Sequence, residues 1–250
     1  MNVQNELKNI RNKTAKLPRR KLDVDEQAFV QKYLGSRKKH LGTKTGDNIK
    51  IAKEIIREQS AIETDKLVDL LSRLFAADTF EEYLIGGKIF TLLKPEVRTK
   101  ISFDQLEKWL AKARGWVEID IICQSSYSGA EVLARRSDWE KMIRKFSRSK
   151  IISLRRASLV LQNLSIRKTN EKKLRRLAFE IVEQLKPEKE VLITKAISWL
   201  LRSLSELDKE EVRTYLLENE ASIPRLAFRE TMKKIETGTK NGARRRSTKK

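Results

Sequence analysis

Residues 171–185 read EKKLRRLAFEIVEQL, and this stretch decides the fold. Its apolar residues recur three or four positions apart, at Leu174, Leu177, Ala178, Ile181, Val182 and Leu185. On a helix this spacing places all of them in one stripe, which is the pattern of an amphipathic α-helix. Residues 64–75, 80–93 and 192–204 repeat the pattern. The nearest approach to a strand is VEIDIIC (117–123), which we assign to a helix because its neighbours have helical periodicity.

The periodicity predicts helices over residues 24–34, 47–58, 63–75, 79–93, 102–114, 117–134, 137–147, 151–164, 171–185, 189–205, 208–219 and 223–236. The links between them are short, as in antiparallel helix pairs. Taken in pairs, the helices give a unit of roughly 35–40 residues, which is the size of a helical-solenoid repeat. We therefore predict an all-α protein, a right-handed α-solenoid of about six antiparallel helix pairs. Because no crisp internal sequence repeat is visible, we expect the pairs to be divergent and HEAT-like.

Composition excludes several classes of protein. The chain of 250 residues is 39% hydrophobic, which is too much for a disordered protein, and it has no long uncharged run for a membrane span. One cysteine and one histidine exclude an intrachain disulfide framework and a zinc cluster. We therefore expect no metal and no other cofactor. The expected location is a reducing compartment, either the cytoplasm with the bacterial nucleoid or the nucleus of a eukaryote.

The net charge of +21 calls for a polyanionic partner. About half of it lies at the ends, since residues 1–20 carry +5, residues 238–250 carry +6 and residues 21–237 keep +10. We predict a basic N-terminal arm (1–20), a HEAT-like DNA-binding domain (21–237) and a basic C-terminal tail (238–250), with both ends disordered. The ends either bind nucleic acid or only aid solubility.

Trp116 and Asp120 are four residues apart, so a helix places them on one face. One interpretation is an aromatic face paired with an anion, both able to stabilise a developing cation. The other is a core tryptophan with a solvated aspartate at its edge. In the same way, Trp199 is either a core residue or a platform for a base or sugar.

Two basic segments are candidates for phosphate contacts. Arg155 and Arg156 begin a helix, and an isolated arginine pair either binds phosphate or is a surface charge pair. Residues 32–55 combine two glycines with dense positive charge, including Lys38 and Lys39, and favour a phosphate-facing loop that leads into a helix. We expect the single histidine there to be an ordinary loop residue and Cys123 to pack in the core.

Several short motifs in a fixed order resemble the AlkD-type DNA alkylation-repair glycosylases, a family of HEAT-like repeat proteins. They are YLGS (33–36), IAKE (51–54), the Trp116/Asp120 pair, LRRA (154–157) and AISWLLR (196–202). The resemblance spans residues 24–236. Where the family carries a proline and an arginine near residue 50, this chain reads TGDNIK (45–50).

The resemblance implies a base-excision-repair enzyme, a metal-independent and monofunctional glycosylase that excises N3-methyladenine and N7-methylguanine from duplex DNA. Asp120 would be the catalytic aspartate, and Trp116 and Trp199 the active-site tryptophans. Arg156 would contact phosphate, with Arg155 as the second choice. The other predicted DNA contacts are Tyr33, Lys38, Lys39 and Arg202. The partner would be double-stranded DNA containing alkylated bases, bound by a monomer without a membrane.

A different class of function stays open. A non-catalytic HEAT-like scaffold would use the same charge to hold nucleic acid or a protein, and the basic ends and the TGDNIK sequence motivate it. An RNA- or ribosome-associated factor follows more weakly from charge alone.

Overall fold

The structure, a computed structural model, describes residues 2–58, 63–124 and 126–241. Over these residues the chain is helical, and β-pairing is limited to two isolated bridges, Arg19 with Thr43 and Lys39 with Thr79. The predicted all-α helical-repeat fold is confirmed. The chain divides into two compact units, residues 1–126 and 127–250. Within the described ranges, each helix is too short or too polar to cross a membrane.

The first unit contains α1 (Val3–Ala15), α2 (Val24–Leu34), α3 (Thr45–Glu58), α4 (Thr64–Ala76), α5 (Phe80–Leu92), α6 (Pro95–Arg98), α7 (Phe103–Lys112) and α8 (Gly115–Cys123). Its core is built on α4 and α5, which pack on each other and on α1 and α3. The apolar stripe of α4 is fully buried there, as its spacing predicts. Thr79 and Ser102 cap α5 and α7 by accepting hydrogen bonds from backbone N–H groups of the first turn.

The prediction of a disordered N-terminal arm is wrong for residues 3–15, which form α1. Leu7 and Ile10 of this helix are buried against the unit. At the edge of this interface, Arg11 pairs with Glu82 of α5 at 2.7 Å. The sequence analysis missed this amphipathic helix because basic residues flank its apolar stripe, where Lys13 pairs with Glu54 of α3 at 3.0 Å. The predicted C-terminal tail falls mostly in residues 242–250, which lie outside the described residues, and the predicted domain boundaries stay a prediction.

The second unit contains α9 (Gly129–Ala134), α10 (Arg136–Ser147), α11 (Ile152–Val160), α12 (Gln162–Lys168), α13 (Lys172–Leu185), α14 (Val191–Leu204), α15 (Lys209–Glu218) and α16 (Arg225–Thr237). Its helices pack on near neighbours in sequence, with α14 in contact with α11, α12, α13, α15 and α16. The apolar stripe of residues 171–185, which decided the predicted fold, is buried along α13.

Two predicted helices are wrong in extent. Residues 117–134 divide into α8 and α9, because the Ser128 hydroxyl accepts from the Glu131 N–H and the Glu131 side chain bonds back, which starts a new helix there. Residues 151–164 divide into α11 and α12. At that break the amides of Gln162 and Asn163 donate to carbonyls of the preceding turn and compete with the helical hydrogen bonds.

Candidate active site

The end of α2 and the start of α8 meet through two glycines. Gly35 ends α2 in the left-handed region (φ 68°), and Gly115 begins α8 with φ 64°. A Cβ on Gly35 would lie 2.8 Å from the Cα of Gly115, so the approach requires glycine. The contact places the last turn of α2, with Tyr33, against the first turn of α8, with Trp116.

The Trp116 side chain is held in a fixed orientation. Its indole N–H donates to the carbonyl oxygen of Tyr33 at 2.8 Å, and the two rings meet edge to face with centroids 5.8 Å apart. Trp116 is half-buried and Tyr33 is 66% exposed. An oriented indole that keeps contact with solvent is able to pack against a ligand.

Asp120 lies one helical turn after Trp116 on the same side of α8. It is buried, with 7% of its surface exposed, which is unusual for an aspartate. The interpretation of a core tryptophan with a solvated aspartate is therefore wrong, because the carboxylate is buried and the indole is accessible. A buried carboxylate beside an aromatic ring favours positive charge on a neighbouring group.

A second carboxylate of α8 has a role that the sequence analysis missed. Glu118 lies about 200° around the helix axis from Trp116. Its side chain accepts from the Ser36 hydroxyl at 2.5 Å and from the Arg114 N–H at 3.0 Å, and its backbone carbonyl accepts from the Tyr83 hydroxyl at 3.0 Å. These bonds fix the rotation of α8, and with it the direction of the face that carries Trp116.

The loop before α3 is held by a carboxylate of the chain itself. Glu81 is buried and accepts from the N–H groups of Leu41, at 2.9 and 3.0 Å, and of Gly42, at 3.1 Å. The prediction of a phosphate-facing loop is wrong for these two amides, because a carboxylate already occupies the position that a phosphate would take.

The two lysines of this loop have different environments. The Lys38 ammonium donates to the carbonyls of Phe75, at 3.3 Å, and Ala77, and lies 4.9 Å from the centre of the Tyr83 ring. Burial lowers the pKa of Lys38, and nearby carboxylates partly oppose that shift. Lys39 has an exposed side chain. Their roles as DNA contacts stay predictions.

His40, expected to be an ordinary loop residue, is instead buried. Its ring stacks on Phe80 with centroids 4.4 Å apart. The Gln27 side-chain amide donates a hydrogen bond to the His40 carbonyl and accepts one from the His40 N–H. Burial lowers the pKa of His40, partly opposed by Glu81. Cys123 is buried, as predicted.

Both arginines of the predicted pair already have partners in the second unit. Arg155 forms a two-pronged ion pair with Glu188, at 2.7 and 3.2 Å. Arg156 is buried and donates to the Leu192 carbonyl at 2.5 Å. The interpretation as a surface charge pair is therefore wrong for Arg156, and the phosphate-binding roles of both stay predictions.

Trp199 lines a small cavity of about 270 Å³ in the second unit. The indole is half-buried, and Arg167, Arg202 and Lys234 lie around the same cavity. Arg202 also pairs with Glu230 at 2.7 Å. Glu206 lines the cavity too and pairs with Lys234 at 3.3 Å. The role of Trp199 as a platform for a base or sugar stays a prediction.

The structure thus groups Tyr33, Trp116 and Asp120 in the first unit, and Trp199 with Arg202 in the second. The sequence analysis missed Phe29, which is 70% exposed and lies one turn before Tyr33 on α2. The signal for it was present, since these aromatics are four residues apart on a weakly patterned helix. Within the described ranges, no cluster of three or more His, Cys, Asp or Glu side chains is arranged to bind a metal ion.

Comparison with known proteins identifies the family. The sequence profile described as DNA alkylation repair enzyme matches residues 19–235, so the chain belongs to the DNA alkylation repair enzyme family. The resemblance inferred from the sequence is confirmed. No curated protein gave a significant match.

The fold is also found among solved structures. One of them is described as a predicted DNA alkylation repair enzyme from Enterococcus faecalis, and it is 19% identical to this chain with a TM-score of 0.69. The match covers 87% of this chain and 98% of that one.

Proposed function

We propose that the protein is a monofunctional DNA glycosylase that hydrolyses the N-glycosidic bond of cationic alkylated purines in duplex DNA. The observation that carries the proposal is the pairing on α8 of a buried carboxylate, Asp120, with an accessible and oriented indole, Trp116. Membership of the DNA alkylation repair family supports the process. The proposed substrates are of the N3-methyladenine and N7-methylguanine type.

The proposed reaction needs an anion rather than an acid. When the bond between C1′ and the purine nitrogen breaks, its electron pair moves onto the cationic purine, which leaves as a neutral base. Positive charge develops on the sugar, as in glycoside hydrolysis. The Asp120 carboxylate stabilises that charge and orients a water molecule. The water adds to C1′, and its proton passes to Asp120 and then to solvent.

The remaining proposed roles follow from charge and aromatic character. Trp116 and Trp199 pack against the sugar, where their ring faces favour a cation. Arg156 holds a flanking phosphate, with Arg155 as the second choice. Before binding phosphate, Arg156 must release the Leu192 carbonyl and Arg155 must release Glu188. This scheme uses no metal.

Duplex DNA is the proposed partner, and a monomer in the cytoplasm, or in a nucleus, is the proposed state. The net charge of +21 supports a polyanion, and the exposed Tyr33 and Lys39 are the most accessible of the proposed contacts in the first unit. Such binding weakens steeply as salt rises, because each phosphate contact releases counterions.

The test is the release of free bases from methylated duplex DNA by the full chain, followed by chromatography. We expect free methylated adenine and guanine, with strands that break only after alkali, since a monofunctional enzyme leaves an abasic site intact. Binding without base release, at equal affinity for intact and methylated duplexes, would overturn the proposal in favour of the non-catalytic scaffold.

A further inference from the structure

The first unit contains a cavity that has no role in the reaction proposed above. It has a volume of about 700 Å³ and lies between α4 and α7, within the usual size range of small-molecule sites. Glu118 of α8 lines it, whereas Trp116 and Asp120 do not. Because Glu118 lies on the opposite side of α8 from those two residues, the cavity is separate from the candidate active site.

The floor of the cavity is aromatic and rigid. Phe75, Tyr83 and Trp109 line it, and each is buried, with 8%, 1% and 6% of its surface exposed. The Trp109 ring meets the Phe75 ring at 63° with centroids 5.1 Å apart. The Trp109 N–H donates to the Ser72 hydroxyl at 2.9 Å, which fixes the indole. Next to it, the Gln105 amide makes one long contact of 3.5 Å with the same hydroxyl and keeps most of its bonding capacity.

The rim of the cavity is positively charged. Its exposed cations are Arg37, Lys108, Lys112 and Arg114. Over the described parts of the chain, none of these four has a carboxylate within ion-pairing distance. Lys38 adds a fifth positive charge inside.

The carboxylates of the lining do not balance this charge. They are Asp78 and Glu118, against five cations. The Glu118 oxygens already accept hydrogen bonds from Ser36 and from the Arg114 N–H. The cavity therefore favours an anion.

We propose that this cavity binds a nucleoside phosphate, either free or at the end of a DNA strand. The four cations without an ion-pair partner fit the charge of a phosphate, and the small apolar patch that the largely buried aromatic residues expose on the floor fits a base. The Gln105 amide offers a donor and an acceptor to the edge of that base. An inorganic anion would make no contact with the apolar floor, and an uncharged aromatic ligand would make no ionic contact with the rim.

The test is calorimetric titration of the full chain with deoxyadenosine 5′-monophosphate, deoxyadenosine and inorganic phosphate. We expect saturable binding of the nucleotide, at least tenfold tighter than either fragment. The double variant Lys108→Ala/Lys112→Ala removes two rim cations from the exposed side of α7 and should weaken nucleotide binding at least tenfold. A thermal melt verifies that it is folded.

The matched control is Lys53→Ala/Arg57→Ala, which removes two exposed cations at the same spacing on α3, away from the cavity. Its affinity should stay within twofold of the unchanged protein. Undetectable nucleotide binding, phosphate alone binding as tightly, or equal loss in both double variants would each overturn the proposal.

A DNA arm of the experiment separates the two sources of the nucleotide. Hairpin duplexes with a blunt end and with a 5′-phosphorylated single-nucleotide overhang are compared. A preference for the overhang that disappears in Lys108→Ala/Lys112→Ala assigns the site to a strand end, and equal binding of both hairpins assigns it to the free nucleotide. Nucleotide binding is measured without base release, so failure here leaves the proposed glycosylase function untouched.

Discussion

The indole N–H of Trp116 bonds to the backbone carbonyl of Tyr33 at 2.8 Å, where α2 and α8 approach through Gly35 and Gly115. The acceptor is a main-chain atom, so the orientation of the indole depends on the path of the chain rather than on the tyrosine side chain. One face of α8, which also carries Asp120, is thereby positioned by the end of a helix some eighty residues earlier in the sequence.

Replacing Trp116 by phenylalanine removes the N–H donor and keeps an aromatic ring. A hydrogen bond of this kind contributes about 0.5–1.5 kcal/mol, so we expect base release to slow by about two- to tenfold. Single-turnover excision from methylated duplex DNA measures it. Trp139→Phe, in the core of the second unit, is the control: it should lower stability and leave the excision rate of the folded enzyme unchanged. A wild-type rate for Trp116→Phe would contradict the role of the fixed indole.

Gly115→Ala tests the approach of the two helices. A side chain in the left-handed region costs roughly 1–2 kcal/mol, and the new Cβ also overlaps the backbone of Gly35. We expect the free energy of unfolding in urea to fall by at least that amount. Gly46→Ala is the matched control, since its Cβ enters open space in the first turn of α3. It should be neutral or stabilising by up to about 1 kcal/mol. Equal stability of both variants would rule out the contact.

His40 predicts a pH dependence of stability. It is the only histidine of the chain, and burial lowers its pKa below the ordinary 6.5. The unfolded state therefore binds a proton more readily than the folded state, so the free energy of unfolding falls as pH drops through 6.5 and below. Urea titrations at about pH 7.5 and about pH 5.5 measure the loss.

The control for this prediction is His40→Phe, which keeps a ring on Phe80 and removes the titrating group. Its stability should change less over the same interval, because only the carboxylates then contribute. An equal fall in both proteins would assign the pH dependence to other groups.

Periodicity alone predicted most of the fold. Residues 24–34 and 171–185 form helices at or within one residue of the predicted bounds. The second has an apolar stripe that is buried along its length, whereas the first is bounded by the Asp23 capping box and by Gly35 in the left-handed region. Helix α1 was missed because charge dominated its composition, although Leu7 and Ile10 follow the same spacing.

The surroundings of the candidate site could not be predicted in this way. Glu81 and Glu118 each bind groups about forty or more residues away in the sequence, on Leu41 and Ser36, and no local pattern distinguishes a buried carboxylate from a solvated one. The spacing of Trp116 and Asp120 predicted a shared face. Which of the two would be buried depended on how α8 packs on α5 and α2, which the local sequence does not reveal.

Asp120→Asn tests the central claim most directly. Asparagine is nearly the same size but carries no negative charge, so it keeps the packing and removes the anion next to the developing sugar cation. We expect single-turnover release of methylated purine from duplex DNA to fall by about a hundredfold or more, with DNA binding largely retained. Asp104→Asn, at an exposed position in the first turn of α7, should act at the wild-type rate. Equal rates for Asp120→Asn and Asp104→Asn would contradict the assignment of Asp120 as the catalytic carboxylate.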